Sequence, residues 1–368
     1  MIDDIVSVTE TLIRYRTTHK EPGQIRSCAE FIERWLRDRG IACRRIEQAG
    51  VPSVVALPSP GHAPVLLMSH IDVVEGTEDL FTPRVENGCI YGRGSLDDKY
   101  AAALSMVLMA RQQRRMGGSA QQAGAPLGIL ITGDEEAGGF NGAKRALEQV
   151  RADFCIALDG GSVEKIVTKE KGLIKLRLVS RGRAAHGSRP WMGENAIEAL
   201  IRDYTRIREV FGDTEPMAWH RTLNFSQVSG GGSFNQVPDR AEAVFDVRYT
   251  EADDPDELIR SLRAAVSGEL LVEAKEPLFI SGASPYLDRL LAVAKDTTVG
   301  FEHGASDARF LSDFGIPGIV WGADGDKSAH APDEHVRIDS IVGLADHLTT
   351  FLDGLAEGVP ASPAAAPP

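Results

Sequence analysis

The fold is decided by the stretch Leu127-Gly-Ile-Leu-Ile-Thr-Gly-Asp-Glu-Glu136, in which an apolar run ends abruptly in acidic side chains. Two more runs share this form: Val65–Ser69 leads into His70 and Asp72, and Phe154–Leu158 leads into an aspartate. Short apolar runs are typical of buried strands, and charged groups at strand ends are costly unless a partner such as a divalent cation uses them. The pattern therefore predicts a metal site built at strand ends.

The same part of the chain predicts an α/β fold. Helical spacing of apolar residues covers 99–115 and 142–150, so helices alternate with the apolar runs. Such alternation indicates a mostly parallel sheet, and ligands of parallel sheets bind beyond the carboxyl ends of the strands. The acidic clusters lie where this rule places a site.

A second domain is predicted from residue 173 onward, where the pattern changes. Strand, helix, strand, strand, helix and strand follow one another up to residue 275, which is the split βαβ order of a ferredoxin-like α+β domain. We therefore expect a discontinuous first domain, 1–172 and 283–358, and an inserted domain, 173–282. The Pro/Ala-rich tail, 359–368, is expected to be disordered.

Composition narrows the class of protein. The 368 residues carry a formal net charge of −13, which disfavours nucleic acid and anionic membrane surfaces as partners. No apolar run approaches the ~18–20 residues that span a bilayer, and the acidic N-terminus lacks the features of a signal peptide. The four cysteines include no CxxC pair, which indicates free thiols in a reducing compartment. The expected location is the cytoplasm.

Imidazole and carboxylate groups supply the donors of the predicted metal site. His70 can bind zinc through one ring nitrogen while Asp72 accepts the other N–H. Asp97, which follows a Gly-Arg-Gly turn, is either a helix N-cap or a carboxylate that bridges two metals. Glu135 and Glu136 repel each other without cations between them, so we expect one to be a ligand and the other a general base.

Asp159 and a late histidine complete the set of donors. Both His330 and His335 are candidates, and their spacing does not choose between them. Two histidines and three carboxylates, with one glutamate left over, are the donors expected for two zinc-like ions ~3.5–4 Å apart. In the second domain His186 lies between glycine- and proline-rich turns, although a lone histidine on a loop is more often solvated than catalytic.

With these residues in view, the chain resembles the zinc-dependent family of succinyl-diaminopimelate desuccinylase, acetylornithine deacetylase, aminoacylase, glutamate carboxypeptidase and the di- and tripeptidases. The resemblance covers about residues 5–355, with every motif in family order. It implies two divalent metal ions per subunit, zinc first, with cobalt or manganese as alternatives. It also implies that the smaller domain is a lid and dimerisation domain, so the protein is expected to be a homodimer.

The resemblance also implies a role for each candidate. The implied metal ligands are His70, Asp97, Glu136, Asp159 and His330. Asp97 bridges the two ions, Glu135 is the general base and Asp72 supports His70. His186 of the smaller domain is implied to reach the partner subunit's site and to stabilise the oxyanion. The implied substrate-binding residues are Asn235, Arg248 and Arg309, and the implied Asp97–Asp98 peptide is cis.

The implied reaction is hydrolysis of the amide bond of an N-acyl amino acid, of the deacetylase or desuccinylase type. A water between the two metals attacks after Glu135 takes its proton. The alternative is a di- or tripeptidase or a carboxypeptidase acting on short peptides. Asp159-Gly-Gly departs from the Glu-Pro-Thr that is common in the desuccinylase and deacetylase branch, and aspartate is more familiar from peptidase-like branches. This departure bears on the substrate and not on the metal site.

Overall fold

The computed structural model describes residues 1–115, 124–212, 215 and 217–356. The tail predicted to be disordered, 359–368, lies outside the described residues. The chain forms two compact units by its contacts. Unit 1 comprises residues 1–168, 280–301 and 306 onward, and unit 2 comprises residues 169–279 and 302–305.

The α-helices of the described chain occur before, within and after the inserted segment. They are α1 (Ile2–Ile13), α2 (Pro22–Arg37), α3 (Tyr100–Arg115), α4 (Ala143–Leu147), α5 (Ala196–Phe211), α6 (Pro255–Ala265), α7 (Pro285–Val293) and α8 (Ile338–Ala356). A short helical turn, Ser95–Lys99, precedes α3 directly.

The strands are short and follow one another along the whole chain. They are β1 (Arg44–Gln48), β2 (Val51–Ala56), β3 (His62–His70), β4 (Arg84–Glu86), β5 (Cys89–Tyr91), β6 (Leu127–Thr132), β7 (Arg151–Ala157), β8 (Lys165–Glu170), β9 (Gly172–Arg181), β10 (Thr222–Gly230), β11 (Arg240–Tyr249), β12 (Glu269–Glu276), β13 (Phe279–Ile280), β14 (Thr298–Glu302), β15 (Gly318–Val320) and β16 (His335–Arg337).

Unit 1 contains the core of a nine-stranded sheet. Its order is β1-β2-β6-β3-β7-β15-β8-β13, with β14 pairing β8. The central strands β6, β3, β7 and β15 are parallel, whereas β2 pairs β6 and β15 pairs β8 in the antiparallel sense. The predicted α/β fold with a mostly parallel sheet is therefore confirmed at the centre of the sheet, and the antiparallel strands flank it.

The central parallel strands are buried, because the connections between parallel strands place helices on the faces of the sheet. Every residue of β6 is buried, and β3 is buried from Val65 to His70. Uniformly apolar strands of this kind are typical of the interior of a parallel sheet. Buried residues of α1, α2, α3 and α8 join the same core.

Unit 2 is an antiparallel sheet with two helices. The strand order is β10-β11-β9-β12, and α5 and α6 bury apolar residues against it. The side chain of Asn195 accepts the backbone N–H groups of Ile197 and Glu198 at 3.0 and 3.3 Å, which caps α5. The predicted ferredoxin-like order is confirmed. Among the described helices, none is long and apolar enough to cross a membrane.

Candidate metal centre

The candidate site of unit 1 lies at the carboxyl edge of the parallel strands. The register pairs His70 of β3 with Thr132 of β6, and Met68 of β3 with Ala157 of β7. The residues that follow these strands therefore meet at one edge. Glu135 and Glu136 follow β6, and Asp159 follows β7. Asp97 comes from the turn before α3, and His330 comes from the loop before β16.

The ring of His70 is buried and has one defined tautomer. Its Nδ1 lies 3.0 Å from the carbonyl oxygen of Asp72, so Nδ1 carries the proton and donates it. The Nε2 atom of the neutral ring then presents a lone pair to Oδ1 of Asp97 at 2.9 Å. Oδ2 of Asp159 is 3.8 Å from the same nitrogen. Because lone pairs repel at this separation, a proton or a metal cation belongs between these atoms.

His330 meets two carboxylates. Its Nε2 lies 3.0 Å from Oδ2 of Asp97 and 3.0 Å from Oε1 of Glu136. Each of the two carboxylate oxygens of Asp97 therefore faces one histidine. The backbone of His330 has a left-handed φ of 65°. Such strain in a residue other than glycine is concentrated at functional sites.

Among the residues that the structure describes, the donor atoms form two groups, each of which could hold a metal ion. Within each group, the donor atoms lie within 4.8 Å of one another. The first group is His70, Glu135 and Asp159, and the second is Asp97, Glu136 and His330. Of the two late histidines, the structure brings His330 to this cluster. The ring of His335 instead contacts the carbonyl of Asp333 and the side chain of Asp326. The Asp97–Asp98 peptide is cis, as the resemblance implied.

The electrostatics of the cluster fit divalent cations. Burial raises the pKa of Glu135 and of Asp159 well above the usual range. Burial lowers the pKa of His70, but hydrogen bonds to Asp72 and Asp97 outweigh it and raise that pKa well above its usual value. The hydrogen bond to Asp97 is the largest cause that raises the pKa of His330, to about 10. Carboxylates thus outnumber cationic groups in a site built from zinc-type donors.

Asp72 connects the parts of the site behind His70. Its buried carboxylate accepts the backbone N–H groups of Glu135 and Glu136 at 3.1 and 2.9 Å. Nε2 of His19 lies 3.2 Å from its Oδ2. Burial raises the pKa of Asp72, but the contacts with His19 and His70 outweigh it and lower that pKa to about 2. Sequence reasoning missed His19, because no strand end or acidic neighbour marks it.

Arg309 lies in unit 1 beside Glu135. Its side chain is buried, and Nη1 is 3.5 Å from Oε1 of Glu135 and 2.9 Å from the carbonyl of Ser306. Thr132 donates its hydroxyl to Oδ2 of the neighbouring Asp307 at 3.2 Å. The structure therefore places this predicted substrate-binding arginine next to the predicted base.

The other three predicted residues belong to unit 2. The backbone N–H of Ser188 donates to Nδ1 of His186 at 3.1 Å, so the neutral ring carries its proton on Nε2. The N–H of Gly187 donates to the carbonyl of Asn235 at 2.6 Å, which places Asn235 beside the histidine segment. Arg248 forms a two-point ion pair with Asp246, at 2.7 and 3.0 Å.

Comparison with known proteins shows sequence relatives and structures of similar fold. The chain is 27% identical to the succinyl-diaminopimelate desuccinylase of Parvibaculum lavamentivorans over 391 residues, which covers 96% of each chain. In three dimensions it is similar to a tripeptidase from Staphylococcus aureus, with a TM-score of 0.79, 20% identity and coverage of 97% and 99%. An M20 family metallo-carboxypeptidase from Sulfolobus solfataricus also has a TM-score of 0.79, with 19% identity and coverage of 96% and 100%.

A family model assigns the chain to a protein family. The model of peptidase family M20/M25/M40 matches residues 66–354, a range that contains all of the predicted ligands. The chain therefore belongs to peptidase family M20/M25/M40 and is a metal-dependent hydrolase.

Proposed function

We propose that the protein hydrolyses the amide bond of N-acyl amino acids with two zinc ions per subunit. The observation that carries the proposal is the position of Asp97, whose two carboxylate oxygens lie 2.9 and 3.0 Å from the Nε2 atoms of His70 and His330. One carboxylate between two imidazoles is the arrangement of a dinuclear site. The proposed ligands are His70, Asp97, Glu136, Asp159 and His330.

The bound cations would lower the pKa of a coordinated water and polarise the substrate carbonyl. Glu135 is then the group that accepts the proton of the attacking water and later passes it to the leaving amine. Its burial raises its pKa well above the usual range, so the carboxyl holds a proton more readily than an exposed glutamate. Arg309, 3.5 Å away, restrains the orientation of this carboxylate.

His186 is proposed to stabilise the oxyanion of the tetrahedral intermediate. Since Ser188 donates to its Nδ1, the neutral ring keeps a proton on Nε2, and this N–H can donate to a developing negative charge. We assign unit 2 the role of lid and dimerisation domain, with His186 serving the partner subunit of a homodimer. The exposed edge strand β10 supports dimerisation, because an edge strand presents unpaired backbone groups.

An acyl amino acid is preferred over a peptide because a sequence relative aligned over 96% of the chain is named a desuccinylase. Asn235 and Arg248 of unit 2 are proposed to hold the carboxylate of the substrate. A peptidase activity is the second candidate. Asp159 favours it, since the shorter carboxylate is more familiar from peptidase-like branches. The protein is proposed to work in the cytoplasm, where its four unpaired thiols would persist.

Metal analysis and a substrate panel test the proposal together. The purified chain should contain about two zinc ions, and chelation should abolish turnover. The panel contains acetyl- and succinyl-amino acids and free di- and tripeptides. Faster hydrolysis of the acyl amino acids supports the proposal, and faster hydrolysis of the peptides supports the second candidate. Turnover that survives complete chelation contradicts both.

A further inference from the structure

A buried ion pair lies behind the bridging ligand. Nη1 of Arg93 is 2.5 Å from Oε2 of Glu334, and the side chains are 4% and 0% exposed. A buried ion pair is costly to desolvate and is by itself weak evidence for stability, so the other contacts of the two side chains are informative. Neither residue is one of the proposed ligands or the base.

The second oxygen of Glu334 holds the loop that carries Asp97. Oε1 accepts the backbone N–H groups of Gly94, Leu96 and Asp97 at 2.9, 3.2 and 3.2 Å. Gly94 has a left-handed φ of 82°, and a Cβ there would lie 2.8 Å from a methyl group of Val73. Glycine at this position therefore lets the N–H face the carboxylate.

The arginine of the pair holds the other ligand segment. Nη2 of Arg93 donates to the carbonyl of His330 at 3.2 Å. The backbone N–H of Gly92 donates to the carbonyl of Glu334 at 3.0 Å, and the pairing of β5 with β16 continues this ladder. The two segments that deliver Asp97 and His330 are thus joined through one guanidinium and one carboxylate.

We propose that Arg93 and Glu334 are positioning residues for one of the two metal ions. This inference rests on the proposed ligand set. Both contacts lead to the group of Asp97, Glu136 and His330, and neither side chain contacts the group of His70, Glu135 and Asp159. Because Asp97 is proposed to bridge both ions whereas His330 serves one of them, loss of the pair should weaken the ion of His330 and Glu136 more than the other ion. Mutation of a group that orients a metal ligand typically lowers the metal affinity 10–100-fold.

Titration of the metal-free, full-length protein with zinc, monitored by calorimetry, tests this inference. The variants are Glu334→Gln, which removes the charge at nearly constant shape, and Arg93→Lys, which keeps the charge but not the two-pronged contact. Each should weaken one of the two binding events about 10–100-fold and the other by a clearly smaller factor. If Glu334→Gln does not fold, Arg93→Lys carries the test.

Asp353→Asn is the matched control. Asp353 forms a two-point ion pair with Arg111, at 2.8 and 2.7 Å, near the end of α3 that is far from Asp97. It should lower thermal stability without changing either zinc affinity. Variants of the buried pair that leave both affinities unchanged, or weaken both alike, would overturn this inference alone. A wild-type chain that binds fewer than two ions would overturn the proposed metal centre, and this inference with it.

Discussion

The carboxylate of Asp72 accepts the backbone N–H of Glu136 at 2.9 Å, and its other oxygen accepts that of Glu135 at 3.1 Å. One buried side chain therefore fixes the direction in which two adjacent glutamates leave the sheet. The carbonyl of the same residue also fixes the tautomer of His70. Asp72 thus orients a proposed ligand of each ion, together with the proposed base.

We expect Asp72→Asn to weaken zinc binding and lower kcat, because an amide offers only one oxygen where two N–H groups need acceptors. A metal affinity about 10–100-fold weaker is the expected size. His19→Gln should have a smaller effect, since the ring of His19 is 41% exposed and lies 3.2 Å from Oδ2 of Asp72, an oxygen that keeps the N–H of Glu136 as a donor. Zinc titration and kcat measured on both variants check this order. An equal loss in both would contradict it.

Glu135→Gln should retain both metal ions and lose turnover. The amide keeps the shape of the side chain but cannot take the proton of the attacking water. A fall in kcat of about 10²–10⁴-fold is expected for loss of a general base. Zinc content and kcat are measured on the same preparation. A fall of less than about tenfold with both ions bound would show that the base is another group.

His186→Ala should lower kcat about 10²–10³-fold, the usual cost of one oxyanion donor, with KM and zinc content little changed. His62→Ala is a suitable control, because it removes a partly exposed histidine that pairs with Asp153. Mixing the His186→Ala and Glu135→Gln proteins should restore part of the activity in mixed dimers. No recovery after subunit exchange would contradict a site shared between subunits.

Removal of metal should destabilise unit 1. Without cations the clustered carboxylates repel one another, and ligands that bind the folded state stabilise it by about 2.7 kcal/mol at a hundred times Kd. The unfolding temperature of chelated protein should fall and should recover when zinc is added back. Magnesium at the same concentration should restore less, because the donor set includes two imidazoles. Equal recovery with both ions would contradict the zinc assignment.

Leu67→Ala should destabilise the protein by about 2–5 kcal/mol through the cavity that it leaves. Leu67 is fully buried on β3, between β6 and β7. Guanidinium unfolding of the zinc-loaded chain measures the change, and Leu271→Ala on β12, which is 40% exposed, is the control. A cost near that of the control would mean that the sheet centre repacks around the gap.

Sequence patterns were enough to predict the α/β class and the ferredoxin-like insert, and they supplied the residues of the proposed site that lie at strand ends. An apolar run that ends in an acidic residue is typical of a buried parallel strand. Such strands are apolar on both faces, and ligands bind beyond their carboxyl ends. His70, Glu135 and Asp159 could be chosen for this reason. Local sequence patterns indicate which segments are buried and where strands end, and these three residues lie at or just after strand ends.

Which distant groups meet depends on the tertiary structure. Spacing along the chain left both His330 and His335 open and the resemblance implied His330; in the structure the ring of His330 meets Asp97, whereas that of His335 is turned to Asp326. The structure also added His19 and the Arg93–Glu334 pair, whose partners lie up to 241 positions away in the chain. Such contacts depend on how loops pack against a sheet edge, and the periodicity of apolar residues along the chain does not indicate that packing.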